Sequence, residues 1–161
     1  MAYPTRGRDP LLDATTQAFL EKRGVEALGL IFILVGVFLI LTLASYSPGD
    51  SAWMSSGGRE IGNLFGQFGA TITAPLMKIM GLGSWSIPFL FVVWGMRLMT
   101  HIGAERMVIR LIYAPIFWAL CSLYLATATP NTDWVHNFSM GGLFGDTVLY
   151  IILQLMPGSA A

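Results

Sequence analysis

The sequence predicts an all-α integral membrane protein with three transmembrane helices and one or two amphipathic helices that lie in the membrane interface or re-enter it. Of its 161 residues, 55% are hydrophobic and only 11% are charged, whereas soluble domains carry about 25% charged residues. Several apolar runs have about 20 residues, the length a helix needs to cross a hydrocarbon core of roughly 30 Å. The formal net charge is zero, so the composition offers no basic surface for direct contact with nucleic acid.

The first predicted span covers residues 25–45 and follows a polar N-terminal segment, residues 1–24, that we expect to be cytoplasmic. The span is long for the apolar core of a signal peptide, and TLAS at its end is a poor cleavage site, so a signal anchor is the better interpretation. It is followed by SYSPGDSAW, in which proline, glycine and aspartate end the helix.

The second span is harder to place because residues 64–99 are too long for one helix and barely long enough for two. Gly81, Gly83 and Pro88 interrupt the run. Cytoplasmic segments of membrane proteins carry an excess of lysine and arginine. A single crossing at residues 80–99 leaves Arg59 outside and collects most of the basic residues inside, namely Arg6, Arg8, Lys22, Arg23, Arg97, Arg106 and Arg110.

The preceding segment, residues 61–79, has the pattern of an amphipathic helix. Apolar residues such as Leu64, Phe68 and Ile72 recur at helical spacing, while Gln67 and Thr71 fall on the other flank. Such a helix lies in the interface or dips into the membrane.

The third span is predicted at residues 107–127, and a second amphipathic stretch at residues 141–156. The order of span, turn and amphipathic stretch thus occurs twice, with LFGQ opening the first amphipathic stretch and LFGD the second. With a cytoplasmic N-terminus, three crossings leave the C-terminal end outside. We therefore expect a fourth span to follow.

Four residues after the first span could form a contact on the outer face, namely Tyr46, Pro48, Asp50 and Trp53. The simpler interpretation is that Pro48 and Asp50 turn the chain, while the two aromatic residues anchor it at the depth of the lipid headgroups.

Five glycines are candidates for helix packing, namely Gly29, Gly36, Gly62, Gly66 and Gly69. Small residues let membrane helices approach closely, either within one chain or between copies of it. Both interpretations remain open from the sequence.

The sequence predicts no metal site, no cofactor and no catalytic residue. His136 with Asp133, and His101 with Glu105, each lack a third ligand. No phosphate-binding GxxxxGK[ST] motif occurs. We therefore expect a protein that is not an enzyme by itself.

The chain resembles the N-terminal membrane anchor of FtsK/SpoIIIE-type DNA translocases. The resemblance rests on KRGVEALGL, SYSPGDSAW, GNLFGQFGATITAPLMKIMGLGSWSIPFL and GGLFGD, and covers residues 22–156. It implies four spans with both ends in the cytoplasm, a place in the bacterial inner membrane at the division septum, and a role in anchoring and oligomerising a translocase. Partners would be the lipid bilayer, further copies and other membrane or division proteins. The alternative function is a free-standing accessory subunit that packs against a larger membrane complex.

Overall fold

The computed structural model describes residues 13–52, 61–102, 107–128, 134, 136 and 138–156, and no strand occurs among them. The helices, in chain order, are α1 (Ala14–Ala44), α2 (Gly66–Met80), a 3₁₀ helix (Gly81–Trp85), α3 (Ser86–Met99), α4 (Met107–Ala126) and α5 (Gly142–Leu155). Three helical segments are long and apolar enough to cross a membrane: Ala14–Ala44, Gly66–Met99 and Ile109–Ala126. The predicted fold class is therefore confirmed.

The most deeply buried side chains of this bundle are not large apolar ones, as they would be in a soluble protein. The largest side chains that are fully buried are small or polar, namely Thr42, Thr73, Ser84, Pro88 and Ser122. Large apolar side chains instead point outward, including Leu30, Ile31 and Leu34 on α1 and Leu111, Ile112, Ile116 and Leu120 on α4. Helices in lipid gain little from burying leucine and associate through small and hydroxyl-bearing residues, so this distribution is typical of a membrane protein.

The main helix pair is α1 with α3, and the two helices run antiparallel. Their axes approach closely because glycines face the partner helix. A Cβ atom added at Gly29 would lie 2.7 Å from the carbonyl oxygen of Gly95, and one added at Gly36 would lie 3.1 Å from the carbonyl oxygen of Pro88. Backbone therefore packs against backbone along this seam.

Helix α2 has few contacts with α1 and packs mainly on α5 and the 3₁₀ helix. The ring of Phe65, just before α2, lies 4.6 Å from that of Phe38 in α1, and Pro88 in α3 returns to Gly36. The chain therefore contacts nearly the same level of α1 before α2 and after the 3₁₀ helix, although α2 alone is about 22 Å long. These contacts favour a helix that runs across α1 and α3 rather than alongside them.

The buried face of α2 consists of small residues and one methionine, namely Gly69, Ala70, Thr73, Ala74 and Met77. The larger apolar residues of the predicted stripe, such as Leu64 and Phe68, are about two-thirds exposed. Close packing against α5 selects the small residues for the interior, and the bulky ones are left to face the surroundings.

A glycine junction joins the 3₁₀ helix, α4 and the start of α5. Leu82 donates its amide hydrogen to the carbonyl oxygen of Met140 at 2.8 Å, and the buried Ser122 hydroxyl donates to the carbonyl oxygen of Gly141 at 2.5 Å. Cβ atoms added at Gly141 and Gly145 would each lie 2.5 Å from the carbonyl oxygen of Ser122. Only residues without a side chain let these three segments meet.

Candidate interaction site at the loop face

The loop after α1 and the segment before α5 meet on one side of the bundle. We call this surface the loop face and define it by residues 45–50, residues 61–65, Trp134, His136 and Phe138. The first loop folds back onto the end of α1, where the Leu64 amide donates to the Ser45 hydroxyl at 3.1 Å and the Asn63 side-chain amide donates to the carbonyl oxygen of Thr42 at 2.9 Å. Both bonds fix the entry to α2 over the last turn of α1.

Asp50 is the buried acid of the loop face, with 3% of its surface exposed. Its Oδ1 accepts a hydrogen bond from the Gly62 amide at 2.8 Å, which closes the first loop. Its Oδ2 is buried and has no hydrogen-bond partner within the described part of the chain. A buried carboxylate oxygen without a donor is costly, so Asp50 Oδ2 is an unsatisfied acceptor beneath the surface of the loop face.

Aromatic rings join the two segments of the loop face. The ring centroids of Tyr46 and His136 lie 5.7 Å apart, and the His136 ring is 4.6 Å from that of Trp134. His136 also stacks on Phe138 at 5.2 Å, and the Trp134 indole donates to the Phe138 carbonyl oxygen at 2.5 Å. Ring pairs at these separations stabilise one another beyond their area burial, so the cluster holds both segments together.

Burial changes the acid–base properties of two of these rings. Desolvation, followed by the nearby Asp50 carboxylate, raises the pKa of Tyr46 above its usual value, so its hydroxyl keeps its proton. Desolvation lowers the pKa of His136, which favours the neutral imidazole. Both rings are therefore uncharged at neutral pH.

The predicted outer-face residues are distributed as follows. Tyr46, Pro48 and Asp50 lie together in the first loop of the loop face, and Trp53 is outside the described residues. The structure thus places three of the four in the loop face, and whether they contact another protein stays a prediction.

The five predicted glycines fall into two groups. Gly29 and Gly36 lie on the α1–α3 seam within the chain. Gly62, Gly66 and Gly69 lie at the junction of the first loop with α2, where the nearest neighbours of Gly62 and Gly69 are Asp50 and Asn63. A role for any of them between copies of the chain stays a prediction.

His101 belongs to a polar cluster in the N-terminal half of α1, away from the loop face. Its Nε2 lies 3.1 Å from Glu26 Oε1, and the other oxygen of Glu26 pairs with Arg23 at 2.7 Å. Within the described ranges no group of three or more His, Cys, Asp or Glu residues could hold a metal ion. Glu105 and Asp133 lie outside those ranges.

Sequence reasoning missed Trp134, Phe138 and Asn63 as parts of the loop face. The aromatic spacing of Trp134, His136 and Phe138, every second residue, was a usable signal because it places three rings on one side of an extended segment. Nothing in the sequence pairs this segment with Tyr46.

Taken together, the apolar helices, the small buried side chains and the close glycine contacts define a multi-helix membrane domain. The sequence model described as the 4TM region of DNA translocase FtsK/SpoIIIE matches residues 21–161, and the chain belongs to this family.

Individual relatives agree with the family assignment. The chain is 27% identical over 154 residues to a DNA translocase FtsK of Azospirillum brasilense, covering 94% of this chain and 24% of that protein. It is 29% identical to the FtsK of Caulobacter vibrioides, covering 91% of this chain and 18% of that protein. It is 30% identical to the FtsK of Bradyrhizobium diazoefficiens, covering 81% of this chain and 16% of that protein. The chain therefore spans a quarter or less of these relatives, and no solved structure matches it.

Proposed function

We propose that this chain is the membrane-anchoring and oligomerising part of a DNA translocase that acts in chromosome partition at the bacterial division septum. The observation that carries the proposal is the match of residues 21–161 to the 4TM region of FtsK/SpoIIIE. The matched region is a membrane domain, so the chain itself would hold the translocase in the membrane and assemble its copies rather than hydrolyse ATP.

The distribution of charge supports an inner-membrane protein with a cytoplasmic N-terminus. The contact between His101 and Glu26 brings the end of α3 to the start of the apolar part of α1. Lys22, Arg23 and Arg97 therefore gather at one end of the bundle, where Arg110 in the first turn of α4 adds a further charge. The positive-inside rule favours the cytoplasm for that end, and the loop face would then lie on the outer side.

The loop face is the surface that we assign to contacts with other division proteins. It is ordered by hydrogen bonds to α1 and by ring stacking, so a partner would meet a preformed surface. Tyrosine and tryptophan are enriched among the residues that carry most of the binding energy of protein interfaces.

The first experiment measures the size of the native protein. An antibody against residues 2–22 is used to blot membranes of the source organism. A band several times larger than 17.6 kDa is expected if these residues anchor a larger translocase. A single band near 17.6 kDa would exclude that role and favour the free-standing accessory subunit.

A second experiment tests localisation and the contribution of the loop face to it. The full-length protein carrying a fluorescent tag is expected to collect at the septum, and Tyr46→Ala combined with Trp134→Ala should weaken that enrichment while leaving membrane insertion unchanged. Leu34→Ala, which alters an exposed apolar side chain of α1, is the matched control. Uniform membrane fluorescence of the unaltered protein would contradict the proposal.

A further inference from the structure

A cleft between α3 and α4 has no role in the function proposed above. It has a volume of about 190 Å³ and is lined by Leu90, Trp94, Arg110, Tyr113, Ala114 and Phe117. The two helices have few direct contacts with each other, which leaves the cleft between them.

The walls of the cleft are apolar and open sideways. Ala114 forms the floor with 5% of its surface exposed, whereas Tyr113 and Phe117 stand at the rim with 62% and 45% exposed. Drug-sized ligands occupy about 300–1,000 Å³, so this smaller cleft suits a single alkyl chain. A cleft that opens between the helices, in a membrane domain, is accessible to lipid.

Positive charge marks one end of the cleft. Arg110 lies in the first turn of α4 and lines the cleft directly. Arg97, in the last turn of α3, is exposed and follows Trp94 by three residues and Leu90 by seven, the spacing that places all three on one side of a helix. The apolar part of the cleft therefore continues towards two arginines near the end of the bundle.

We propose that the α3–α4 cleft binds an anionic phospholipid, with one acyl chain against Ala114 and Phe117 and the phosphate at Arg110. A guanidinium group matches phosphate geometry with paired, charge-assisted hydrogen bonds. Basic pockets between membrane helices are suited to anionic headgroups, and a zwitterionic lipid would bring a repelling cation to the same place. This site would fix the tilt of α4 through a bound lipid where direct contact with α3 is sparse.

The test is lipid retention by the full chain in mild detergent, measured by native mass spectrometry with added phosphatidylglycerol or phosphatidylcholine. The unaltered protein should retain phosphatidylglycerol in preference. Arg110→Gln should lower that retention about tenfold, since it removes a charge-assisted pair. Lys22→Gln, which removes an equal charge from the exposed start of α1, should change it less than twofold.

The acyl-chain half of the proposal has its own readout. Phosphatidylglycerol with a photoreactive group in its tail should label peptides that contain Leu90 or Phe117, and Ala114→Leu should abolish the labelling while thermal unfolding shows a folded protein.

Two outcomes would overturn the proposal. Equal loss of retention in Arg110→Gln and Lys22→Gln would indicate general attraction of the lipid to the charged surface. Labelling absent from the cleft, with a photoreactive residue at position 117 crosslinking to protein instead, would show that a helix occupies it.

Discussion

Gly29 and Gly95 show how strongly single residues determine the distance between helices in this bundle. A Cβ atom at Gly29 would lie 2.7 Å from the Gly95 carbonyl oxygen and 2.9 Å from the Met99 amide nitrogen. Because both atoms belong to the backbone, a larger side chain can be admitted only if α1 and α3 move apart. At this spacing the two helices are in contact through their backbones, and there is no room for an apolar side chain between them.

We therefore predict that Gly29→Leu destabilises the bundle by about 1–3 kcal/mol, the usual cost of overpacking. Gly24→Ala is the matched control, since nothing lies within 4 Å of an added Cβ there and alanine has a better helix propensity by about 1 kcal/mol. Thermal unfolding in detergent measures both variants. Equal midpoints for Gly29→Leu and the unaltered protein would show that the seam does not limit stability.

His136 makes the stability of the loop face depend on pH. Its pKa is lowered in the folded state by desolvation, so between the ordinary histidine value near 6.5 and the lower folded value the unfolded chain binds more protons. Stability is therefore fully present above about pH 6.5 and is lost as the pH falls through that window. Limited proteolysis of the loop segments at pH 8 and pH 5 should show faster cleavage at pH 5, and His136→Gln should remove most of the difference. A pH effect of the same size in His136→Gln would assign it to another group.

At the scale of elements, the starts of α2 and α5 have the same backbone conformation and the same pattern of hydrogen bonds. Gly66 and Gly142 have φ of +58° and +65°, and each donates its amide hydrogen to the carbonyl oxygen three residues before, Asn63 and Ser139. Gly69 and Gly145 then each donate to the carbonyl oxygen four residues before. The structurally equivalent stretches are therefore GQFG and GLFG, with Gly66 equivalent to Gly142. Aligning the two LFG triplets of the sequence instead pairs Gly66 with Gly145, three residues further on.

Gly66 and Gly142 share a backbone conformation but differ in their surroundings, so substituting each in turn separates the cost of backbone strain from the cost of crowding. Gly66→Ala should cost about 1–2 kcal/mol, the penalty of a left-handed conformation for a residue with a Cβ atom, because nothing lies within 4 Å. Gly142→Ala should cost clearly more, because its Cβ would also lie 2.6 Å from the Ile79 carbonyl oxygen in the glycine junction. Chemical or thermal unfolding of the two variants side by side measures the difference, and equal losses would mean that the junction can widen freely.

How much of this architecture the sequence predicts depends on the range of the interactions involved. Apolar runs and helix-breaking residues act locally, so the sequence predicts where helices end. The first span is predicted to end at residue 45 and α1 ends at Ala44, and the second is predicted to end at residue 99 and α3 ends at Met99. The start of α1 at Ala14 was not anticipated, because a polar stretch of good helix formers gives no apolar signal. The contact of Tyr46 with His136 and the junction at Ser122 depend on how distant segments meet, and neither hydropathy nor spacing encodes that.

At the scale of the whole molecule, the orientation of α2 decides how the chain crosses the membrane. The segment Gly66–Met99 is apolar enough to be one bent span, yet the chain contacts nearly the same level of α1 on both sides of α2, through Phe65 at Phe38 before it and through Pro88 at Gly36 after the 3₁₀ helix. If α2, about 22 Å long, crossed most of a 30 Å core, the few residues between Met80 and Pro88 would have to return over that distance. These contacts favour a crossing made by the 3₁₀ helix and α3 alone, with α2 at the level of the loop face.

This orientation is testable with single cysteines in a Cys121→Ala background and a membrane-impermeant thiol reagent. If α2 lies across the bundle, Gln67→Cys and Lys78→Cys should react from the same side as Ser47→Cys in the loop face, and Lys22→Cys only from the opposite side. A spanning α2 would instead place Lys78→Cys on the side of Lys22→Cys. That result would contradict the contacts of Phe65 with Phe38 and of Pro88 with Gly36, and with them the crossing by the 3₁₀ helix and α3 alone.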